Sequence, residues 1–283
     1  MKADQELLVL AIIPVLILLL YVYKKDPHKE SFGSLLKIFI FGMISTIPAA
    51  ILEIIVTIFV GDERLMDPIS LFIYTFIGIG LIEEFVKWFS IKKGIYNTNK
   101  FDEYYDAIVY CTFVSLGFAC LENILYVTNT GKSGLAVGIM RAFTSVPGHT
   151  CFGIIMGYYL CYTKLNEIRG NIEQKKYNRI SLLYPVIAHT LYDYLIMSKM
   201  VLLWLAFYIY LLIKSIRLIN KVANQNQPFY FNNQLTPNET IPPLPNNQPM
   251  PTTNNITSPN NFCINCGNPI NGENYCTKCG HKI

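Results

Sequence analysis

The sequence predicts an all-α polytopic membrane protein. It has about seven transmembrane helices plus one re-entrant or short helix, then a disordered linker and a small C-terminal module. Three observations carry this reading. Apolar residues fill 52% of the 283 positions and charged residues only 15%, against about 25% charged in an ordinary soluble domain. The mean hydropathy is +0.33, although the stretch after residue 222 is polar. The apolar residues also gather into runs near the length of about 20 that a helix needs to cross a hydrocarbon core. Such a composition excludes a soluble enzyme and a disordered chain.

The expected spans are Leu7–Tyr23, Leu35–Val60, Ile69–Ile91, Asp106–Val127, His149–Leu165, Ile180–Met197 and Met200–Ile219. Gly134–Pro147 is apolar but too short to cross, which suits a re-entrant or interfacial segment. Loop charges set the orientation, because Lys and Arg collect on the cytoplasmic side. Lys24, Lys25 and Lys29 place the first loop inside. Gly61–Pro68, with Asp62, Glu63 and Asp67 against Arg64, fits outside. Lys92, Lys93 and Lys100 return the chain inside, and Thr128–Ser133 fits outside. Arg169, Lys175, Lys176 and Arg179 place Asn166–Arg179 inside, which holds only if Gly134–Pro147 does not span. The N-terminus is then outside and the C-terminus inside, with Lys214, Arg217 and Lys221 in support. No cleavable signal peptide is expected, since the basic cluster follows the first apolar run.

The net charge of +4 is small and does not suggest nucleic acid. Residues 1–221 form the expected membrane domain. Residues 222–261, rich in Asn and Pro, bury too little apolar surface to offset their ordering entropy and read as a linker. Its run Ile241–Pro245 favours an extended polyproline conformation and reads as a spacer. In residues 262–283, Cys263 and Cys266 form one C-x-x-C pair, and Cys276 and Cys279 form another. Four thiolates at this spacing close a tetrahedral Zn2+ site, and Gly267 and Gly280 let each knuckle turn. The module resembles a short zinc ribbon, for structural use or for docking a cytoplasmic protein partner. Cys111, Cys120, Cys151 and Cys161 lie in apolar runs and read as buried thiols.

Glu53, Glu83, Glu84, Lys87, Glu122, Arg141, His149, His189 and Asp193 all fall in or beside the apolar runs. A charge at a span centre costs about 2.5–3.5 kcal/mol on insertion scales, so such a set needs pairing, water or function. Lys87 follows Glu83 by four residues and Glu84 by three, so it reaches either carboxylate on one helical face. Two carboxylates beside one Lys suit general acid–base work, and equally a neutralising pair with a spare Glu at a cavity. His189 and Asp193 share a face, where Asp193 orients the imidazole or completes a helix–helix polar contact. Behind His149, Gly153 and Gly157 form a small-residue face that allows close packing. Depths agree with one cavity open to the outer side.

Four pieces of sequence now combine: Glu83-Glu84-Phe-Val-Lys87, Phe118-Ala-Cys-Leu-Glu122 followed by Asn123, Arg141 through His149, and His189-Thr-Leu-Tyr-Asp193. In order and spacing they resemble the PrsW family of intramembrane proteases, related to the CAAX prenyl-protease and bacteriocin-processing superfamily. The resemblance covers about residues 1–220 and leaves the cysteine tail outside. It implies peptide-bond hydrolysis in a prokaryotic plasma membrane. The substrate it implies is a membrane-anchored protein, such as the anti-sigma factor cut in the family's best-known case. It makes Glu83 and Glu84 the catalytic carboxylates and Glu122, His149 and His189 the rest of the polar centre. Lys87 and Asp193 support them.

Glu84 is the expected base for water, with Glu83 next. The histidines either bind Zn2+ together with Glu122 or stabilise the oxyanion without metal. An H-E-x-x-H helix is absent, and Gly131-Lys-Ser-Gly134 reads as a polar turn. Two other readings compete. A proton-coupled transporter uses similar Glu and His chains, but no internal repeat supports it. An inactive scaffold recruiting partners through the ribbon is opposed by the intact motif positions.

Overall fold

The computed structural model describes residues 2–129 and 133–229. The four tail cysteines and the Ile241–Pro245 run lie outside the described residues. Helix α1 covers Lys2–Lys25 and α2 covers Phe32–Val60. Ser31 starts α2, its Oγ accepting the Ser34 N–H at 3.4 Å, and Gly61 ends it at φ 90°. That backbone conformation is open to glycine at no steric cost. Asp67 caps α3 (Pro68–Ile73) by accepting the N–H groups of Ile69 and Ser70 at 3.0 and 3.2 Å, with Pro68 in the first turn. The helix then widens into a π segment, Tyr74–Leu81, and resumes as α4 (Ile82–Gly94).

The remaining helices are α5 (Tyr104–Asn129), α6 (Gly134–Phe143), α7 (Ser145–Ile168), α8 (Glu173–Met197) and α9 (Val201–Asn224). Every expected span coincides with one of these helices. Six are long and apolar enough to cross a membrane: α1, α2, the continuous Pro68–Gly94 rod, α5, α8 and α9. The seventh, α7, has 24 residues, but its sequence is more polar. It is buried almost throughout against α5, α8 and α9, so few of its side chains have to match lipid. The ten-residue α6 is too short to cross and breaks from α7 at Thr144.

The bundle is organised around α5, which is 78% buried over its most apolar window, against 17% for α1 and α2. The outer faces of α1, α2 and α9 carry exposed Ile17, Ile54, Phe59 and Leu202, the surface that hydrocarbon demands. Glycines set the spacing around α5. A Cβ on Gly42 of α2 would fall 2.1 Å from the Val114 carbonyl oxygen, and one on Gly117 would fall 2.1 Å from that of Phe39. On the other side of α5, a Cβ on Gly157 would lie 2.3 Å from the Ala107 carbonyl oxygen, and one on Gly153 would lie 2.9 Å from that of Cys111. The small-residue face behind His149 is therefore a backbone-to-backbone contact. We expect Gly117→Ala to destabilise the bundle by about 1–3 kcal/mol, since the obstacle is main chain and only a helix shift relieves it. Thermal unfolding of the purified variant measures this, and an unchanged transition would refute the contact.

The four core cysteines are buried free thiols, as expected. The first residues assigned to the linker are structured instead. Helix α9 continues to Asn224, and Phe229 is 1% exposed, stacked on Phe101 at 5.8 Å. The Phe229 N–H donates to the Asp102 carbonyl at 2.6 Å. These contacts cross from the C-terminal end of α9 to the start of α5, so local composition does not reveal them.

Candidate active site

The π segment and α4 position the first two carboxylates. A π turn shifts the helical register and recurs at functional sites. Here it also lets Gly80 meet α8 closely, since a Cβ there would lie 2.7 Å from Thr190 Oγ1. One turn later Glu83, Glu84 and Lys87 enter the core, at 4%, 0% and 0% exposure. Lys87 Nζ donates to Glu83 Oε2 at 2.9 Å and to Glu84 Oε1 at 2.8 Å, so one ammonium serves both carboxylates. It also lies 4.1 Å from the centre of the Phe118 ring, which gives the aromatic residue of the second motif a role.

His149 of α7 and His189 of α8 complete the group. Lys87 Nζ lies 3.1 Å from His149 Nδ1. An ammonium only donates, so Nδ1 accepts and Nε2 carries the hydrogen. His149 Nε2 then donates to Glu122 Oε2 at 2.9 Å. His189 lies between two carboxylates, with Nδ1 3.0 Å from Glu84 Oε1 and Nε2 3.2 Å from Asp193 Oδ2. The Phe152 ring stacks on it at 4.6 Å, and the two imidazoles meet edge to face at 5.3 Å. Both rings are thus fixed in orientation by carboxylates and by packing. Glu83, Glu84, Lys87, Glu122, His149, His189 and Asp193 lie together in the structure, while Cys263, Cys266, Cys276 and Cys279 lie outside the described residues.

Other members lacked an assigned role. Arg141 of α6 donates through Nη2 to Glu122 at 2.6 Å and through Nε to Asn123 Oδ1 at 2.7 Å, with its guanidinium 4.0 Å from the Tyr126 ring. The short α6 therefore presents the cation that balances Glu122. Glu53 of α2 faces the same space, and its Oε1 is shielded from solvent with no partner among the described residues. Both were visible in the sequence as charges in apolar surroundings.

The centre opens onto a cavity of about 840 Å³. Glu83, Glu122, His149, His189 and Asp193 reach its wall, as do Glu63 of the α2–α3 connection and Val201 at the start of α9. Glu84 does not; it is enclosed behind Glu83. The sequence points to Glu84 as the base with Glu83 next, and in the structure it is Glu83 that meets the cavity. Consecutive helical residues point about 100° apart, and only the neighbouring helices decide which one meets the cavity.

The donors suit a divalent ion. One ligand atom each from Glu83, His149 and His189 lie within 4.8 Å of one another, and two imidazoles with a carboxylate are a set that zinc accepts. The expected set held Glu122 in place of Glu83. In the structure Glu122 is occupied by Arg141 and His149.

Fold and site together describe a polytopic membrane protein with a centre of carboxylates and imidazoles enclosed in the helical bundle. The profile of the PrsW family intramembrane metalloproteases matches residues 30–219. A protease PrsW from Oceanobacillus iheyensis is 36% identical over 206 residues, covering 69% of this chain and 89% of that protein. The Clostridioides difficile protease PrsW is 31% identical over 82% of this chain and 97% of its own length. The Bacillus subtilis protein of the same name is 32% identical over 76% and 94%. No solved structure matches. The chain belongs to the PrsW family and is a peptidase, which removes the transporter and inactive-scaffold readings.

Proposed function

We propose that this chain is an intramembrane endopeptidase that cuts a membrane-anchored protein, an anti-sigma-factor-like regulator being the substrate class the family suggests. The single observation that carries the reading is Glu83. Its carboxylate meets the cavity, Lys87 holds it at 2.9 Å, and two oriented imidazoles stand on the same wall. Glu83 takes the proton of a water in the cavity, and that water attacks the scissile carbonyl. Lys87 holds Glu83 in place. Glu84 and Asp193 hold His189, while Glu122 and Arg141 hold His149. For a ring to donate to the oxygen on which negative charge develops, its N–H has to turn from the carboxylate that holds it, His149 Nε2–H from Glu122 or His189 Nε2–H from Asp193.

If the site takes a metal ion, Glu83, His149 and His189 would hold it, with Glu122 and Asp193 fixing the two rings. A zinc ion there supplies Lewis acidity and a more acidic bound water.

The loop charges support a plasma-membrane orientation with the N-terminus outside and the C-terminus inside. Glu63 and Val201 lie at the chain ends assigned to the outer side, so the cavity opens there and the cut falls near the outer boundary. The cysteine tail binds zinc through Cys263, Cys266, Cys276 and Cys279 and recruits a cytoplasmic protein. Deleting the gene should make one or a few intact membrane-anchored proteins accumulate while their released fragments disappear, read by quantitative proteomics of membrane and soluble fractions. An unchanged set of anchored proteins under every growth condition tested would contradict the proposal.

A further inference from the structure

A second group of ionisable side chains lies at the opposite end of the bundle from the cavity. Glu30 precedes α2, Asp102 precedes α5, and Asp106 stands in the first turn of α5. One carboxylate oxygen from each lies within 4.8 Å of the others. Asp106 is 1% exposed. Its Oδ2 accepts the N–H groups of Asp102 and Glu103 at 2.9 and 2.6 Å, which caps α5. Its Oδ1 is equally enclosed and has no partner among the described residues. Glu30 accepts the Tyr110 hydroxyl at 2.5 Å.

No Lys, Arg or His among the described residues pairs with any of the three carboxylates. Lys29, next in sequence, is turned away to the carbonyls of Tyr23 and Lys24 at 2.8 and 3.1 Å. His28 is taken by Glu103 at 2.8 Å. Three converging carboxylates with one enclosed, unpartnered oxygen and no counter-charge among the described residues call for neutralisation, by a proton or by a cation from outside the chain. All donors are hard oxygens, and no thiolate or imidazole joins them, so the set suits a hard divalent cation better than zinc.

We infer that Glu30, Asp102 and Asp106 form a second metal site, for a hard divalent cation of the magnesium, manganese or calcium type. The ion ties the α1–α2 loop to the start of α5. Asp102 also accepts the Phe229 N–H through its carbonyl, and Asn226 Oδ1 accepts the Tyr105 N–H at 2.8 Å. Occupancy therefore also steadies the segment that leads from α9 toward the C-terminal tail.

The test is a Mn2+ titration of the chelator-stripped full-length protein in detergent, with free Mn2+ read by electron paramagnetic resonance. The wild type should bind one equivalent more than a Glu30→Gln/Asp102→Asn double variant. A Glu83→Gln variant, altered only at the cavity, should keep that equivalent, and Mg2+ or Ca2+ should displace it. Asp106 is left intact because it caps α5. Should the double variant fail to fold, Asp102→Asn alone should bind Mn2+ at least tenfold more weakly. Equal stoichiometry and affinity in the wild type and the Asp102 variant would overturn the site.

Discussion

Lys87→Met should destabilise the protein by about 3–5 kcal/mol, the range found when one partner of a buried ion pair is removed. Lys87 is fully enclosed and is the shared counter-charge of Glu83 and Glu84, at 2.9 and 2.8 Å. Met fills much of the same volume, so the loss is mainly electrostatic. It leaves two adjacent carboxylates without their cation and removes the attraction to the Phe118 ring. Denaturant or thermal unfolding in detergent measures the effect. Adding Glu84→Gln to Lys87→Met should recover part of the loss, because one of the stranded carboxylates is then gone. Equal and additive losses in the two variants would show that the pair is not coupled.

Glu83→Gln should lower cleavage by about 10²- to 10⁴-fold, the usual contribution of a positioned general base. The amide keeps the shape and the contact with Lys87 but cannot take a proton from water. Glu84→Gln should cost less, about 10- to 100-fold, the range seen for groups that orient a reactive imidazole from behind. The difference follows from exposure to the cavity: Glu83 reaches it and Glu84 does not. Initial rates on a single membrane-anchored substrate distinguish the two residues. A larger loss at Glu84 than at Glu83 would reverse their roles.

The helices were legible because lipid imposes a one-dimensional rule: a run of apolar residues long enough to cross. Each expected span is a helix, and Gly134–Pro147 contains a helix too short to cross. The rule is blind to what helices do to each other. The π turn at Tyr74–Leu81 is fixed by packing against α8, and no residue pattern announces it. Helix α7 was expected from its apolar run His149–Leu165, and its glycines marked the face that meets backbone on α5.

Of the site, the i,i+3 and i,i+4 pairs were readable because helical geometry fixes them locally. Lys87 with both carboxylates and His189 with Asp193 are such pairs. Contacts between helices were not readable. These include Arg141 on Glu122, Lys87 on His149, the choice between Glu83 and Glu84 at the cavity, and Glu83 as the third donor beside the histidines. The linker boundary failed for the same reason. Phe229 is held by Phe101 and Tyr104, far away in sequence, while its own neighbourhood reads as polar spacer.

The central claim is that the carboxylate–histidine centre hydrolyses peptide bonds at the membrane. A census of new protein N-termini in native cells tests it most directly. Wild type is compared with the Glu83→Gln/Glu84→Gln double variant, present in the membrane at equal level. Cleavage sites near a membrane boundary should be present in wild type and absent in the variant. A census identical in the two strains, under conditions in which the wild type cleaves, would contradict it.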